Sequence, residues 1–361
     1  MALTIEEHAP LAPHTTMQVG GPARYLARCR STGEMRQALE WGRSRGLPVQ
    51  VLGGGSNTLF ADAGYAGLVL KVETRGLTMA AGGDEVMVTA AAGEDWDALV
   101  ERCIAADLSG VECLSGIPGL VGATPIQNVG AYGQEVAETV AAVKALSRHR
   151  LEEVELTNRD CAFGYRQSRF KGADRGRYVV TEVSFRLRRA ARPAVRYAEL
   201  AARLEQRGGV ARLEPGRALS GAIRQAVLEL RRAKSMVADP QDPNARSAGS
   251  FFLNPVLAPA AFAALEERWR RDGDGSPVPV HEDAGGRKVP AAWLVERAGF
   301  PRGLRRGGAG VSAHHALALI HCGGGAAAVL SLADQIRAAV AERFGVELER
   351  EPEVVEADPP P

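Results

Sequence analysis

Leu114-Ser-Gly-Ile-Pro-Gly-Leu-Val-Gly-Ala-Thr-Pro-Ile-Gln-Asn-Val-Gly-Ala-Tyr-Gly133 is apolar, yet it can be neither a long helix nor a long strand. Its prolines withhold donors and its glycines weaken either ladder. Surface loops are ordinarily polar, because their backbone must meet water. An apolar loop of this length either packs into its own domain or wraps a large flat ligand. Length favours the ligand, since long loops without secondary structure are often functional.

Upstream, residues 23–29 alternate and predict a strand. Ser31-Thr-Gly-Glu34 has the spacing of a capping box, which predicts a helix over 32–45 ended by Gly46. Short strands are expected at 48–52 and 68–72, making a small βαβ-type unit. The turn Val51-Leu-Gly-Gly-Gly-Ser-Asn-Thr58 follows a strand. Its small residues can aim several N–H groups at an anion, or form a plain glycine turn. It is no Walker loop and no dinucleotide fingerprint, because neither the Gly-Lys-Ser/Thr ending nor the Gly-x-Gly-x-x-Gly spacing is present. Residues 85–91 open a second region, and a helix is expected over 95–106 with Trp96, Leu99, Val100 and Cys103 on one face. Strands are expected over 140–147 and 179–187. Between them lies Phe163-Gly-Tyr-Arg-Gln-Ser-Arg-Phe-Lys171. Arg166 there is either a solvated cation or a half-buried one that needs an anion.

Downstream, Ile223, Val227 and Leu230 stripe one helix, and Phe262, Leu265 and Trp269 another; both stripes read as core. Then comes Ser247-Ala-Gly-Ser-Phe-Phe-Leu-Asn-Pro255. Small residues let the backbone approach a bulky group, Ser250 presents a hydroxyl, and Asn254 offers an amide. Phe251 and Phe252 are expected to wall the site against water. Val329, Leu332, Ile336 and Val340 mark a last helix, followed by a strand over 346–355. The proline-rich end, 356–361, reads as disordered.

Composition narrows the function. At 361 residues the chain is too long for one small core. A net charge of +1 gives no bulk attraction to nucleic acid or anionic membrane. The five cysteines are scattered without a CxxC pair, which fits reduced thiols. The acidic N-terminal stretch lacks a signal-peptide pattern, and no apolar run is long enough to span a bilayer. A cytoplasmic location is expected.

Four matches spread across the chain resemble the UDP-N-acetylenolpyruvoylglucosamine reductases. Residues 51–57 are similar to that family's pyrophosphate loop and residues 117–133 to its flavin-embracing loop. Residues 163–168 are similar to its arginine segment, and Ala248-Gly-Ser-Phe-Phe-Leu-Asn-Pro255 with Glu351-Pro-Glu-Val354 to the rest of its site. The resemblance implies a mixed α/β and α+β fold. It would have a two-part FAD-binding region of the vanillyl-alcohol-oxidase (PCMH) type and a separate α/β substrate-binding domain. On this chain the parts are expected at 1–71, 72–206 and 207–345, with 346–355 returning a catalytic Glu.

The implied cofactors are FAD and NADPH, and the implied substrate is UDP-N-acetylglucosamine enolpyruvate, reduced to UDP-N-acetylmuramate in a ping-pong sequence. FAD would rest on Gly53, Gly54, Gly55, Ser56 and Asn57. It would also rest on Ile117, Pro118, Gly119, Val121, Gly122, Thr124 and Pro125, and on Gly130, Ala131, Tyr132 and Gly133. Arg166 would stabilise the enolate. Glu353, if buried and protonated, would donate to the same oxygens. Ser250 would protonate the carbon as general acid. Tyr197, Lys234 and Asn254 would hold the nucleotide. No metal is implied, and a monomer or weak oligomer is expected.

Two positions depart from the family pattern. Leu253 stands where Lys is frequent, and Thr124 where a smaller residue is usual beside the flavin. An FAD-dependent hydroxy-acid oxidoreductase of the same fold is the alternative. Such enzymes often tether flavin through a loop His, and none occurs in 53–57 or 116–133, so non-covalent FAD is expected.

Overall fold

A computed structural model describes residues 3–283 and 285–358, apart from the side chains of Ala81 and Asp283. The expected disorder at 359–361 lies outside the described residues.

Helix α1 (Thr32–Ser44) starts where the capping pattern sets it: Ser31 Oγ accepts the Glu34 N–H at 3.2 Å. Glu34 reaches back to the N–H of Arg30 at 2.6 Å, one residue before the Ser31 cap. One orphan donor of the first turn, and the N–H just outside the helix, are thereby satisfied. Met35, Ala38, Leu39 and Gly42 recur at helical spacing and bury one face. That face covers a sheet ordered Ile5–Pro10, Pro22–Cys29, Tyr65–Val72, Val49–Leu52. The last three strands run parallel, as a βαβ crossover requires.

The second unit is an antiparallel sheet ordered Glu153–Thr157, Val140–Ser147, Tyr178–Arg189, Glu85–Ala91, Leu77–Gly82. Helix α2 (Trp96–Ala105) is capped by Asp95 and buries Trp96, Leu99, Val100, Cys103 and Ile104. Trp96 meets Phe185 of the sheet at 5.7 Å between ring centroids. One continuous apolar core joins this sheet to α1 and the first sheet, from Ala27 to Leu187. The two halves therefore form one body, with the long apolar loop in its wall.

Helices α3 (Ala198–Gln206) and α4 (Arg217–Ala233) pack their apolar stripes together and onto Cys113. The expected third region starts at 207, but α4 docks on the second unit instead. The reason is that Leu219, Ile223 and Val227 meet Leu200, Leu204 and Cys113, and not the residues beyond 250. The C-terminal core begins at Phe251. It holds a sheet ordered Ser247–Ser250, Ala318–His321, Ala309–Val311, Arg305–Arg306 and a small sheet formed by Val256–Leu257, Gly286–Lys288 and His281–Asp283. Helices α5 (Pro259–Asp272), α6 (Ala291–Arg297) and α7 (Gly325–Phe344) cover them.

The stretch 349–355 is not the single strand expected over 346–355. Leu253 donates to the Glu349 carbonyl and Glu351 to that of Phe251, both at 3.0 Å. Past Pro352 the chain changes partner, and Glu353–Val355 lies parallel to Thr58–Phe60. This strap stitches the C-terminal domain to the first unit.

Candidate active site

The strap, the two glycine loops, the arginine segment and the Ser250 strand surround one cavity of about 1280 Å³. That exceeds the roughly 300–1,000 Å³ of a pocket for a single drug-sized ligand. It has room for a dinucleotide and part of a second molecule.

The glycine loops form one wall by touching each other. A Cβ on Gly54 would come within 3.0 Å of the Gly119 Cα, so bare backbone faces bare backbone. Gly55 has φ +64, and a Cβ there would run into the His14 carbonyl. Of the expected flavin contacts, Gly53, Ser56, Asn57, Ile117, Pro118, Gly119, Gly122, Thr124 and Gly130 line the cavity. Gly54, Gly55, Val121, Pro125, Ala131, Tyr132 and Gly133 do not; several of them shape the wall from behind. Val121 is wholly buried in the core, and Gly133 abuts Arg196. Thr124 turns its hydroxyl away to donate to the Val121 carbonyl at 2.8 Å, so the departure at this position presents little polarity. A backbone-lined wall with apolar Ile117, Ile126 and Val129 beside it fits a flat ring with a phosphate tail. No group of His, Cys, Asp or Glu side chains among the described residues is arranged to hold a metal.

Ser250 reaches the cavity through a bulge. Gly249 has φ +72, and the strand register with Ala318–His321 shifts between Ser247 and Ser250. A bulge of this kind re-aims the next side chain. Phe251 and Phe252 differ from expectation. They do not line the cavity; they are buried in the C-terminal core, edge to face at 5.4 Å. They anchor the strand that presents Ser250, and burying each contributes about 1.5–3 kcal/mol.

Arg166 sits in a tight turn closed by reciprocal Gly164 and Gln167 backbone hydrogen bonds at 3.0 and 3.1 Å. Its φ is +51, a left-handed value that glycine would adopt more easily. Such strain costs about 1–3 kcal/mol and clusters at functional sites. Ser168 ties this segment to the second glycine loop by donating to the Ile126 carbonyl at 2.5 Å. The guanidinium donates to the Gly130 carbonyl at 2.7 Å and faces Glu351 at 3.2 Å.

The two acids of the strap have different surroundings. The role implied for Glu353 required it to be buried, but the Glu351 side chain is 13% exposed and the Glu353 side chain 44%. Burial holds the Glu351 carboxyl above its usual range, against the pull of Arg166 and Lys171. Glu353 lines the same cavity, 3.8 Å from Arg175 and 3.5 Å from the Gln50 amide. The change of strand partner at Pro352 separates the two.

The expected nucleotide contacts lie beside the cavity and not on its wall. Tyr197 is exposed and meets Tyr132 edge to face at 5.5 Å. Lys234 pairs with Glu199 at 2.6 Å and faces Tyr132. Asn254 has a structural partner: its Oδ1 accepts the first N–H of α6, from Ala291, at 2.9 Å. The sequence reading missed Arg148 and Arg231, both on the cavity wall. Arg231 is buried and donates to the Gly116 and Met236 carbonyls, at 3.1 and 2.7 Å. Desolvation pushes its pKa down, so it favours an anion in the cavity. Its signal was a charge adjoining the apolar stripe of α4.

Residues 240–355 match the family model described as UDP-N-acetylenolpyruvoylglucosamine reductase, C-terminal domain, and residues 23–149 match an FAD binding domain model. A UDP-N-acetylenolpyruvoylglucosamine reductase of Thermobifida fusca is 45% identical over 98% of this chain and 99% of its own length. The chain belongs to the UDP-N-acetylenolpyruvoylglucosamine reductase family. A reductase of that name from Streptomyces coelicolor is also 45% identical, over 96% of this chain and 89% of its own. The crystal structure of the UDP-N-acetylenolpyruvylglucosamine reductase from Thermus caldophilus superposes with a TM-score of 0.64 at 25% identity, covering 98% of this chain and 99% of that one. The family's FAD-binding region and α/β C-terminal domain are the two bodies seen here. Family membership also favours the reductase over the hydroxy-acid oxidoreductase alternative.

Proposed function

We propose that the chain reduces UDP-N-acetylglucosamine enolpyruvate to UDP-N-acetylmuramate, with NADPH as the electron donor and FAD held non-covalently. The observation that carries this is convergence. Ser250, Arg166 and Glu353 come from three distant segments and line the one cavity walled by both glycine loops. Bound there, FAD supplies the hydride relay between nicotinamide and the vinyl carbon. The chain's residues do the rest.

Arg166 is a fixed planar cation for the carboxylate oxygens on which enolate charge develops. Ser250 gives its proton to the enolate carbon next to that carboxylate, and the surrounding cations lower the cost of the alkoxide. The Glu353 side chain is 44% exposed and lies on the cavity wall, where a ligand filling the cavity would cover it. It serves as the acid at the substrate end. Tyr197 and Lys234, next to the wall, close over the nucleotide, with the amide of Asn254 as a further contact.

Anaerobic stopped flow tests the proposal. NADPH should bleach the flavin absorbance, and the enolpyruvyl nucleotide should restore it. Bleaching without any return on adding the nucleotide overturns it.

A further inference from the structure

We infer that Glu351 is a positioning residue that sets the guanidinium of Arg166 for substrate reduction, through a chain of contacts linking both glycine loops to the strap. The inference rests on the reading of Arg166 as the cation at the developing enolate.

Four contacts make the chain. Asn57 of the first glycine loop donates through Nδ2 to Gln127 Oε1 at 3.1 Å and to the Glu351 carbonyl at 3.3 Å. Gln127 of the second loop donates through Nε2 to Glu351 Oε1 at 3.5 Å. The same oxygen faces Arg166 Nε at 3.2 Å. The backbone of Glu351 is pinned from the other side by its N–H to the Phe251 carbonyl at 3.0 Å, one residue past Ser250.

This arrangement leaves a specific division of labour. Glu351 occupies the Nε edge of the guanidinium, and the Gly130 carbonyl takes Nη2. The remaining fork edge is then fixed in direction, which a flexible cation on a strained turn would not be. Glu351 is 13% exposed, so its carboxylate is costly to keep charged unless it serves a partner. Gln127 reports the seating of the second loop to that carboxylate, and Asn57 that of the first. Among the described residues Glu353 makes no such link to Arg166; its neighbours are Gln50 and Arg175.

The test uses the flavin-loaded enzyme. Glu351→Gln keeps the shape and removes the charge. NADPH reduction should stay within about twofold of the parent rate, while reoxidation by the enolpyruvyl nucleotide should slow by roughly 10- to 100-fold. Glu351→Asp, which keeps the charge but shortens the reach, should fall between. It is the deciding variant if Glu351→Gln does not take up FAD. In Arg166→Lys, adding Glu351→Gln should cost no more than about twofold further, because the two changes remove one interaction. Binding of the nucleotide to oxidised enzyme, read from the perturbed flavin spectrum, should weaken in Arg166→Lys and in Glu351→Gln alike. Equal losses in both half-reactions, or fully additive losses in the double variant, overturn the inference. If Arg166→Lys itself leaves reoxidation untouched, the reading of Arg166 fails instead.

Discussion

Asp62 caps a helix that belongs to the other domain: its Oδ1 accepts the N–H of Ala326 at 2.7 Å and its Oδ2 that of Ala327 at 2.9 Å. The N-cap of α7 is Gly324, which has no side chain to cap with, so the carboxylate comes from the loop after Thr58–Phe60. Its negative charge also suits the helix N-terminus. Asp62→Ala should lower the urea unfolding midpoint by an amount equal to about 1–2 kcal/mol. An unchanged midpoint would show that the cap contributes nothing.

Ser250→Ala should separate the two halves of the reaction. Flavin reduction by NADPH should be nearly intact, and reoxidation by the enolpyruvyl nucleotide should drop by about 10²- to 10⁴-fold, the usual contribution of a general acid. Single-turnover absorbance traces read both. An equal fall in the two rates would make the hydroxyl structural.

One thiol should react. Burial pushes Cys29, Cys103 and Cys113 up to about 12 and Cys161 to about 11, which leaves almost no thiolate near neutrality. Cys322 is exposed. A chromogenic disulfide reagent should titrate a single fast thiol in the folded enzyme and all five in denaturant. Cys322→Ser should abolish the fast phase, and a second fast thiol would contradict the burial argument.

His315 should make the fold acid-sensitive. Desolvation, with Lys234 and Arg302 adding to it, lowers its pKa from 6.5 to about 4. Its Nδ1 accepts the Leu317 N–H at 3.1 Å, which requires the neutral ring. A depressed folded pKa means the stabilisation is complete above 6.5 and is lost as pH falls toward 4. His315→Asn can still accept that bond and should flatten this part of the stability profile. Parallel profiles for the parent and the variant would sink the assignment.

Much of this architecture was legible because it is locally encoded. Ser31 and Glu34 mark the start of α1, and the Trp96, Leu99, Val100, Cys103 face marks the buried side of α2. Leu77–Gly82 was missed because Leu-Thr-Met-Ala-Ala-Gly has weak alternation. The turn at Gly83-Asp84, which joins it to Glu85–Ala91 with Gly82 opposite Glu85, was the available signal. The site was legible as a set of motifs, but not in its detail. Nothing in Glu351-Pro-Glu353 says which acid is buried, because that depends on two strands from distant domains. Likewise the apolar pair Phe251 and Phe252 can wall a site or anchor a strand, and only the C-terminal core decides.

The strap has a consequence for biosynthesis. Its residues bond to 251–253 on one side and to 57–60 on the other, and both partners leave the ribosome long before it does. A nascent chain can fold each domain as it emerges, yet the carboxylates of Glu351 and Glu353 arrive only after synthesis of everything they join. Flavin captured earlier in translation would sit in a half-built enzyme, so catalytic competence begins with the last stitch.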